Sequence, residues 1–387
     1  MSEGKQVKSG ARKWAGRAGV GVVALTASAA VVGCVTTSGF DSLGAAPTGE
    51  RLERMKKNPH YDGEKFNNVI PTPQGLKKGQ GWTVTKEYVF GKQKREPTDP
   101  LPVYEKTRED LATPSETGLR ITWIGHSTIL IEVDGATILT DPVWGKRASP
   151  TTIAGPKRFH EPPIALEELP EIDAVLISHD HYDHLDMPTI KRLAGTDIPF
   201  FAPLGTGAHL EKWGIEPERI TEVEWWDEHT LEDVGVKLIS APCRHFSGRR
   251  GVDMNHTLWT SWVLVGEKHR VYFSGDTGMT PQFNEIGEKL GPFDLAMIET
   301  GAYHESWGNI HLGPEGAVEA AGMVKAKRYM PIHWGTFNLA LHGWTEPVEQ
   351  AIEFARKKDL PVVVPRLGKP IEPTTVEGPD TWWRGLE

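Results

Sequence analysis

The sequence predicts a layered α/β domain in which sheets pack together and helices lie outside. Three observations predict it. After residue 118, short apolar β-branched runs follow one another first, and only later alternate with helical patterns. An Asp134-Gly135 pair between two such runs is a hairpin signal. Histidines and aspartates gather just past the ends of several runs, where strands deliver side chains to one edge of a layered fold.

The chain has 387 residues, enough for one large domain or two ordinary ones, and a substantial core. Its formal charge is −9 with a pI near 5.9. No long basic run lies beyond the first twenty residues. That argues against a nucleic-acid partner, because phosphate contacts need clustered Lys and Arg.

Residues 1–33 read as an export signal. Lys5, Lys8, Arg12, Lys13 and Arg17 form a basic start, followed by an apolar stretch over 18–33. That stretch is shorter than the ~20 residues of a spanning helix. It closes in Val31-Val32-Gly33-Cys34, which resembles the bacterial lipobox. The resemblance implies cleavage before Cys34, which then carries lipid and anchors the chain to a membrane. Val35 after it implies a lipid-anchored place in the bacterial cell envelope, at the outer membrane. The alternatives are an uncleaved anchor helix or a plain signal peptide. The second cysteine, Cys243, then has no partner and reads as a small buried apolar group.

Residues 34–116 differ in texture. Positions 36–50 are rich in Gly, Ser, Ala and Thr and read as a flexible tether. A short helix fits 52–57, and 58–73 and 77–102 read as an arm lying on the main domain, 117–387. In that domain strands fit 120–123, 128–133, 137–140, 175–178 and 198–202. Later strands fit 237–241, 260–265, 271–274, 295–298, 328–330 and 362–364. Helices fit 188–195, 206–212, 281–290, 314–324 and 345–358, the last with Val348, Ile352 and Ala355 on one stripe.

The chain is organised around residues 176–186, LISHDHYDHLD, with His179, His181, Asp183 and His184 in a His-x-His-x-Asp-His pattern. An apolar run from Ala174 leads in, and Asp186 and Pro188 signal the start of a helix. Imidazole and carboxylate are the ligands of Zn²⁺ and similar cations. Alternate residues of an extended segment share a face, so His179 and His181 can grip one ion, and Asp183 and His184 a second. His245, Asp276 (in Phe273-Ser274-Gly275-Asp276-Thr277-Gly278) and His333 each follow a strand end. Seven ligands complete two sites if one carboxylate is shared, and Asp276 on its Gly-flanked turn suits that role.

In this order the segments resemble the metallo-β-lactamase superfamily, and within it the N-acyl-phosphatidylethanolamine-hydrolysing phospholipase D branch. The stretches carrying the resemblance include TWIGHSTILIEVDGATILTDPVW, IDAVLISHDHYDHLD, FSGDTG, GPFDLAMI and PIHWGTFNLA. The resemblance implies an αββα four-layer sandwich with a two-metal site along one edge. It implies one Zn²⁺ on His179, His181 and His245, and a second on Asp183, His184 and His333, with Asp276 bridging. His311 matches a further histidine near that site, there to steady the phosphate or the leaving group; the alternative is a surface residue before a helix. His126 reads as a supporting residue behind the ligands.

The activity implied is hydrolysis of N-acyl-phosphatidylethanolamine or a related membrane phospholipid to phosphatidate and N-acylethanolamine. Two divalent ions less Asp183, Asp276 and a bridging hydroxide leave a site near +1, suited to an anionic phosphodiester. Asp276, Asp183 and His311 are the expected catalytic residues. Trp225, Trp226, Trp307 and Trp344 are candidates for an acyl groove, with core packing as the alternative. The rival readings are a metal-dependent hydrolase of a small soluble lactone or phosphodiester, and a non-enzymatic envelope lipoprotein with structural metal.

Overall fold

The computed structural model describes residues 41–386. The export signal, Cys34 and the first part of the tether lie outside the described residues. The rest of the tether is held to the body: the Ala45 N–H donates to His209 Nδ1 at 3.0 Å, and Trp213 Nε1 donates to the Asp41 carbonyl at 2.8 Å. The expectation of a flexible segment fails there, because the small residues that suggest flexibility also permit close packing. Gly44 stands where a Cβ would lie 2.0 Å from His209 Nδ1.

Helix α1 (Gly49–Met55) is the short helix expected near 52–57. It buries Met55 with Phe66, Trp225, Leu258 and Trp259, so the arm does lie on the main domain. Two arm helices went unforeseen, α2 (Gly81–Phe90) and α3 (Arg108–Leu111). Helix α2 buries none of its residues, so its sequence carries no core-facing stripe to read.

The body is two six-stranded sheets. In the first, β1 (Leu119–Gly125), β2 (Thr128–Val133) and β3 (Ala136–Thr140) form an antiparallel meander. The turn at Asp134-Gly135 suits it, with both residues at positive φ. Parallel strands β4 (Ala174–Leu176), β5 (Phe200–Pro203) and β6 (Ile220–Val223) follow. The second sheet mirrors this plan. Strands β7 (Glu228–Leu231), β8 (Val236–Ala241), β9 (Ser261–Val265) and β10 (Arg270–Phe273) run antiparallel, then β11 (Leu295–Glu299) and β12 (Tyr329–Ile332) run parallel.

Period-two alternation assigns the faces. Ile129 and Ile131 point into the core between the sheets, with Trp262, Phe273 and Met297 from the other side. Leu130 and Leu139 point outward, under α4 (Met187–Leu193) and α5 (Gly207–Lys212), which contribute Ile190 and Leu210. Beyond the second sheet, α6 (Gln282–Lys289), α7 (Gly313–Met323) and α8 (Glu346–Lys357) add Ile286, Ala317 and Val348 to the large core. The result is the αββα sandwich.

Strands β6 and β7 were not foreseen. Each sits at a sheet edge, half-buried or exposed along most of its length, so neither needs an apolar run. The run at 362–364 is buried but is not a strand; it makes a single parallel bridge, Val362 to Tyr329. Trp225 is a core residue and lines no part of the recess beside His333, whereas Trp344, also buried, is one of that recess's walls. Cys243 is buried and free, as expected.

Candidate metal centre

Strand ends of both sheets meet at one edge. Past β4 the chain enters the motif loop, and Asp186 caps α4 by accepting from the Thr189 N–H at 3.1 Å, with Pro188 in the first turn. Past β1 comes His126, past β3 Asp141, past β8 His245, past β10 Asp276, and past β12 His333. Three of these, His126, Asp141 and His333, have φ of 55°, 35° and 63°. A left-handed backbone costs non-glycine residues free energy and tends to mark functional edges. At Gly275 a Cβ would meet the Ser178 Cβ at 2.6 Å, so only glycine brings Asp276 this close to the motif loop.

All seven expected ligands converge. His179, His181, His245 and Asp276 form one group of donor atoms lying within 4.8 Å of one another. His181 Nδ1 is 2.8 Å from His179 Nε2 and 3.4 Å from His245 Nε2. His126, Asp183, His184 and His333 form the second group. There Asp183 Oδ2 lies 3.4 Å from His184 Nε2 and 3.3 Å from His333 Nε2. Asp276 Oδ2 stands between the groups, 3.2 Å from His184 Nε2, 3.1 Å from His333 Nε2 and 3.7 Å from His245 Nε2.

His126 is closer in than a distant support. Its Nε2 is 2.9 Å from Asp183 Oδ2, and its carbonyl accepts from the His333 N–H at 3.2 Å. His311 joins Asp276 and His333 in a third grouping, and its Nδ1 lies 3.5 Å from Glu299 Oε1.

A set of residues not singled out from sequence stands behind the ligands. Asp141 Oδ2 is 2.7 Å from His184 Nδ1 and accepts from the Ser178 hydroxyl at 2.6 Å. The Ser178 oxygen is in turn 2.9 Å from His179 Nδ1. The Ile310 carbonyl is 2.9 Å from His245 Nδ1. With Nδ1–H donating in each case, Nε2 of His179 and His245 is left as a lone pair facing the centre, and Nε2 of His184 becomes one when it gives up its second proton. The one available hint was position: Asp141 ends a strand, as Asp276 does. Asp180, inside the motif, turns away and accepts from the Gly248 N–H at 2.7 Å.

The charge pattern suits cations. Burial pushes His179 and His245 well below the usual imidazole range, so they are neutral donors. Burial also opposes charge on His333, yet Asp276 and Asp183 raise it to about 9. Against the penalty of burial, neighbouring imidazoles hold the carboxyls of Asp183 and Asp276 well below the ordinary carboxylate range. Among the described residues, His184 Nε2, His333 Nε2 and Asp276 Oδ1 are buried with no hydrogen-bond partner. Buried polar atoms are rarely left so, and a divalent cation would satisfy all three. The residues fit the metals that such a site implies.

The comparisons agree with this geometry. The Beta-lactamase superfamily domain matches residues 136–334, and the Metallo-beta-lactamase superfamily matches 76–185. The uncharacterized protein Rv0906 of Mycobacterium tuberculosis is 41% identical over 339 residues, covering 85% of this chain and 88% of that one. N-acyl-phosphatidylethanolamine-hydrolyzing phospholipase D 1 of Caenorhabditis elegans is 44% identical over 248 residues, covering 61% and 69%. Among solved structures, Igni18, a metallo hydrolase from Ignicoccus hospitalis, aligns with a TM-score of 0.50 at 25% identity over 65% of this chain and 97% of its own. An isothiocyanate hydrolase from Delia radicum gut bacteria shares the fold, with a TM-score of 0.54 at 20% identity over 65% and 98%. With its sandwich fold and its edge of converging histidines and aspartates, the chain belongs to the metallo-β-lactamase superfamily and is one of its metal-dependent hydrolases.

Proposed function

We propose that the protein is a dinuclear zinc phosphodiesterase of phospholipase D type. It hydrolyses N-acyl-phosphatidylethanolamine or a related phospholipid to phosphatidate and N-acylethanolamine. The observation that carries this reading is the 44% identity to the C. elegans phospholipase D. The donor groups that share Asp276 support it.

His179, His181 and His245 would hold one ion, and Asp183, His184 and His333 the other, with Asp276 common to both. Two such ions supply an acidified water at neutral pH and a positive field for a phosphodiester. The chain's own groups prepare for that. Asp141 and Ser178 fix the ring orientation of His184 and His179, and His126 braces Asp183. His311, held beside Glu299, faces the centre and steadies the phosphate or the departing alcohol oxygen. Phe159, Ala302, Phe337, Leu339 and Ala340 line a recess beside His333 together with Arg95. The bond broken joins phosphorus to the ethanolamine oxygen, and water provides the new oxygen on phosphorus.

The N-terminal reading is part of the same proposal: cleavage before Cys34 and lipidation there would keep the enzyme in the envelope membrane that holds its substrate. Metal analysis of the purified protein, then mass spectrometry of products from mixed phospholipid vesicles, tests the activity. Two zinc ions per chain with phosphatidate and N-acylethanolamine are expected. Release of free fatty acid instead would mean that the wrong bond has been named.

A further inference from the structure

Helix α2 is ten residues long and buries none of them. A helix this short is marginal in water unless an apolar face is packed, and here the apolar groups point outward. Trp82 is 76% exposed and Phe90 74%, and Tyr88 and Val89 are exposed beside them. Polar contacts hold the helix in place. Glu87 Oε2 lies 3.1 Å from His304 Nε2, and the Lys77 N–H before the helix donates to the Ser306 carbonyl at 2.7 Å. His304 and Ser306 belong to the segment that leads to Ile310 and His311, so α2 sits beside the approach to the metal centre.

Two loops bordering the same centre add further exposed apolar groups. Val252, 84% exposed, and Met254 flank Asp253. That loop is tied to the motif by Tyr182, whose hydroxyl donates to the Arg249 carbonyl at 2.7 Å. Ile153 is 71% exposed, in a loop that closes where the Phe159 N–H donates to the Thr336 carbonyl at 2.9 Å.

Charge identifies what covers this face. Between residues 77 and 95 stand Lys77, Lys78, Lys86, Lys92, Lys94 and Arg95, against Glu87 alone, in a chain of net charge −9. The five lysines are exposed. Aromatic rings interleaved with lysines match a bilayer surface, where rings rest at the headgroup boundary and ammonium groups meet anionic lipid. We propose that α2, with the loops carrying Ile153 and Val252, docks this protein onto a lipid bilayer bearing anionic headgroups and turns the metal centre towards it. The contact is separate from any lipid on Cys34. It rests on the lipid-substrate reading only for its purpose, since a face can dock whatever bond is cut.

The test uses the full chain carrying Cys34→Ser and Val89→Cys, labelled with an environment-sensitive fluorophore; Cys243 is buried and stays unlabelled. A second labelled chain carries Cys34→Ser and Arg356→Cys, placing the probe on α8. Vesicles of phosphatidylcholine with phosphatidylglycerol should shift emission at position 89 to the blue and expose it to acyl-chain nitroxide quenchers. The probe at 356 should not respond. Replacing Lys86, Lys92 and Lys94 by Gln should weaken the vesicle affinity read from that shift roughly a hundredfold. The proposal is overturned if the chain sediments with vesicles while position 89 keeps its aqueous emission. It is equally overturned if the shift needs no vesicles and grows with protein concentration, because a second copy then covers the face. Equal affinity for pure phosphatidylcholine would overturn the headgroup assignment. A docked protein that leaves the lipid intact would instead sink the proposed hydrolysis and leave this face standing.

Discussion

Asp141 Oδ2 stands 2.7 Å from His184 Nδ1, and the same carboxylate reaches His179 through the Ser178 hydroxyl. One fully buried aspartate therefore aims an imidazole in each of the two donor groups. Asp141→Asn should keep the fold and weaken metal binding by about 10–100-fold, the usual cost of losing such an outer carboxylate. Competition against a chromophoric chelator measures this, and unchanged affinity would show that Asp141 serves the strand end alone.

Asp276 offers its Oδ2 to both donor groups, 3.1 Å from His333 Nε2 and 3.7 Å from His245 Nε2. Asp276→Ala should lower metal content per chain and reduce hydrolysis by more than the ~100-fold expected of an outer residue. Elemental analysis and turnover should fall together. Retained turnover with lost metal would break the link between site and activity.

The ligands were legible because their chemistry is local. Four of them fall within six positions, and the others sit on short turns past apolar runs. Their supports were not legible, because their roles depend on register. Thr140 pairs with Leu176 across β3 and β4, and that pairing alone brings Asp141 beside Ser178 and His184. Glu299 reads as the tail of an apolar strand until the fold sets it next to His311. The antiparallel meander announced itself by alternation and a hairpin signal, whereas β6 and β7 carry no apolar pattern because edge strands need none. Helix α2 was missed for the opposite reason: its apolar residues are plentiful but face away from the core.

The arm is fastened through Phe66, fully buried beside Met55, Trp225 and Trp259. Its N–H donates to the Asn255 carbonyl at 2.8 Å, and its carbonyl accepts from Asn255 Nδ2 at 3.1 Å. Phe66→Ala should cost about 3–5 kcal/mol of local stability. Limited proteolysis should then cut residues 67–80 well below the temperature at which the sandwich melts. Cleavage no faster than in the parent would mean that the polar contacts of the arm suffice.

Proton release tests the charge state of the centre. Burial disfavours charge on His184 and His333, but Asp276 and Asp183 prevail and raise both, His184 well above the usual range and His333 to about 9. Before metal enters at pH 7.5, His333 is imidazolium, and the His184 ring is shifted towards the same form. Cations bind only neutral imidazole, so loading should expel protons from these rings, in addition to the one lost by a water that binds as hydroxide. His126, held down near 3 by burial, releases none. The sign for the metal-free protein follows from raised values: both ion pairs give their full stabilisation below the ordinary histidine value of 6.5, and the His333 pair loses it as pH rises through about 9. Metal binding runs the other way and strengthens over the same interval. The melting temperatures of chelated and loaded protein should therefore diverge as pH climbs from 6.5 towards 9. Calorimetric titration in two buffers of different ionisation heat gives the proton count directly; a count no higher than the one proton of the bound water at pH 7.5 would show that the two rings were neutral from the start.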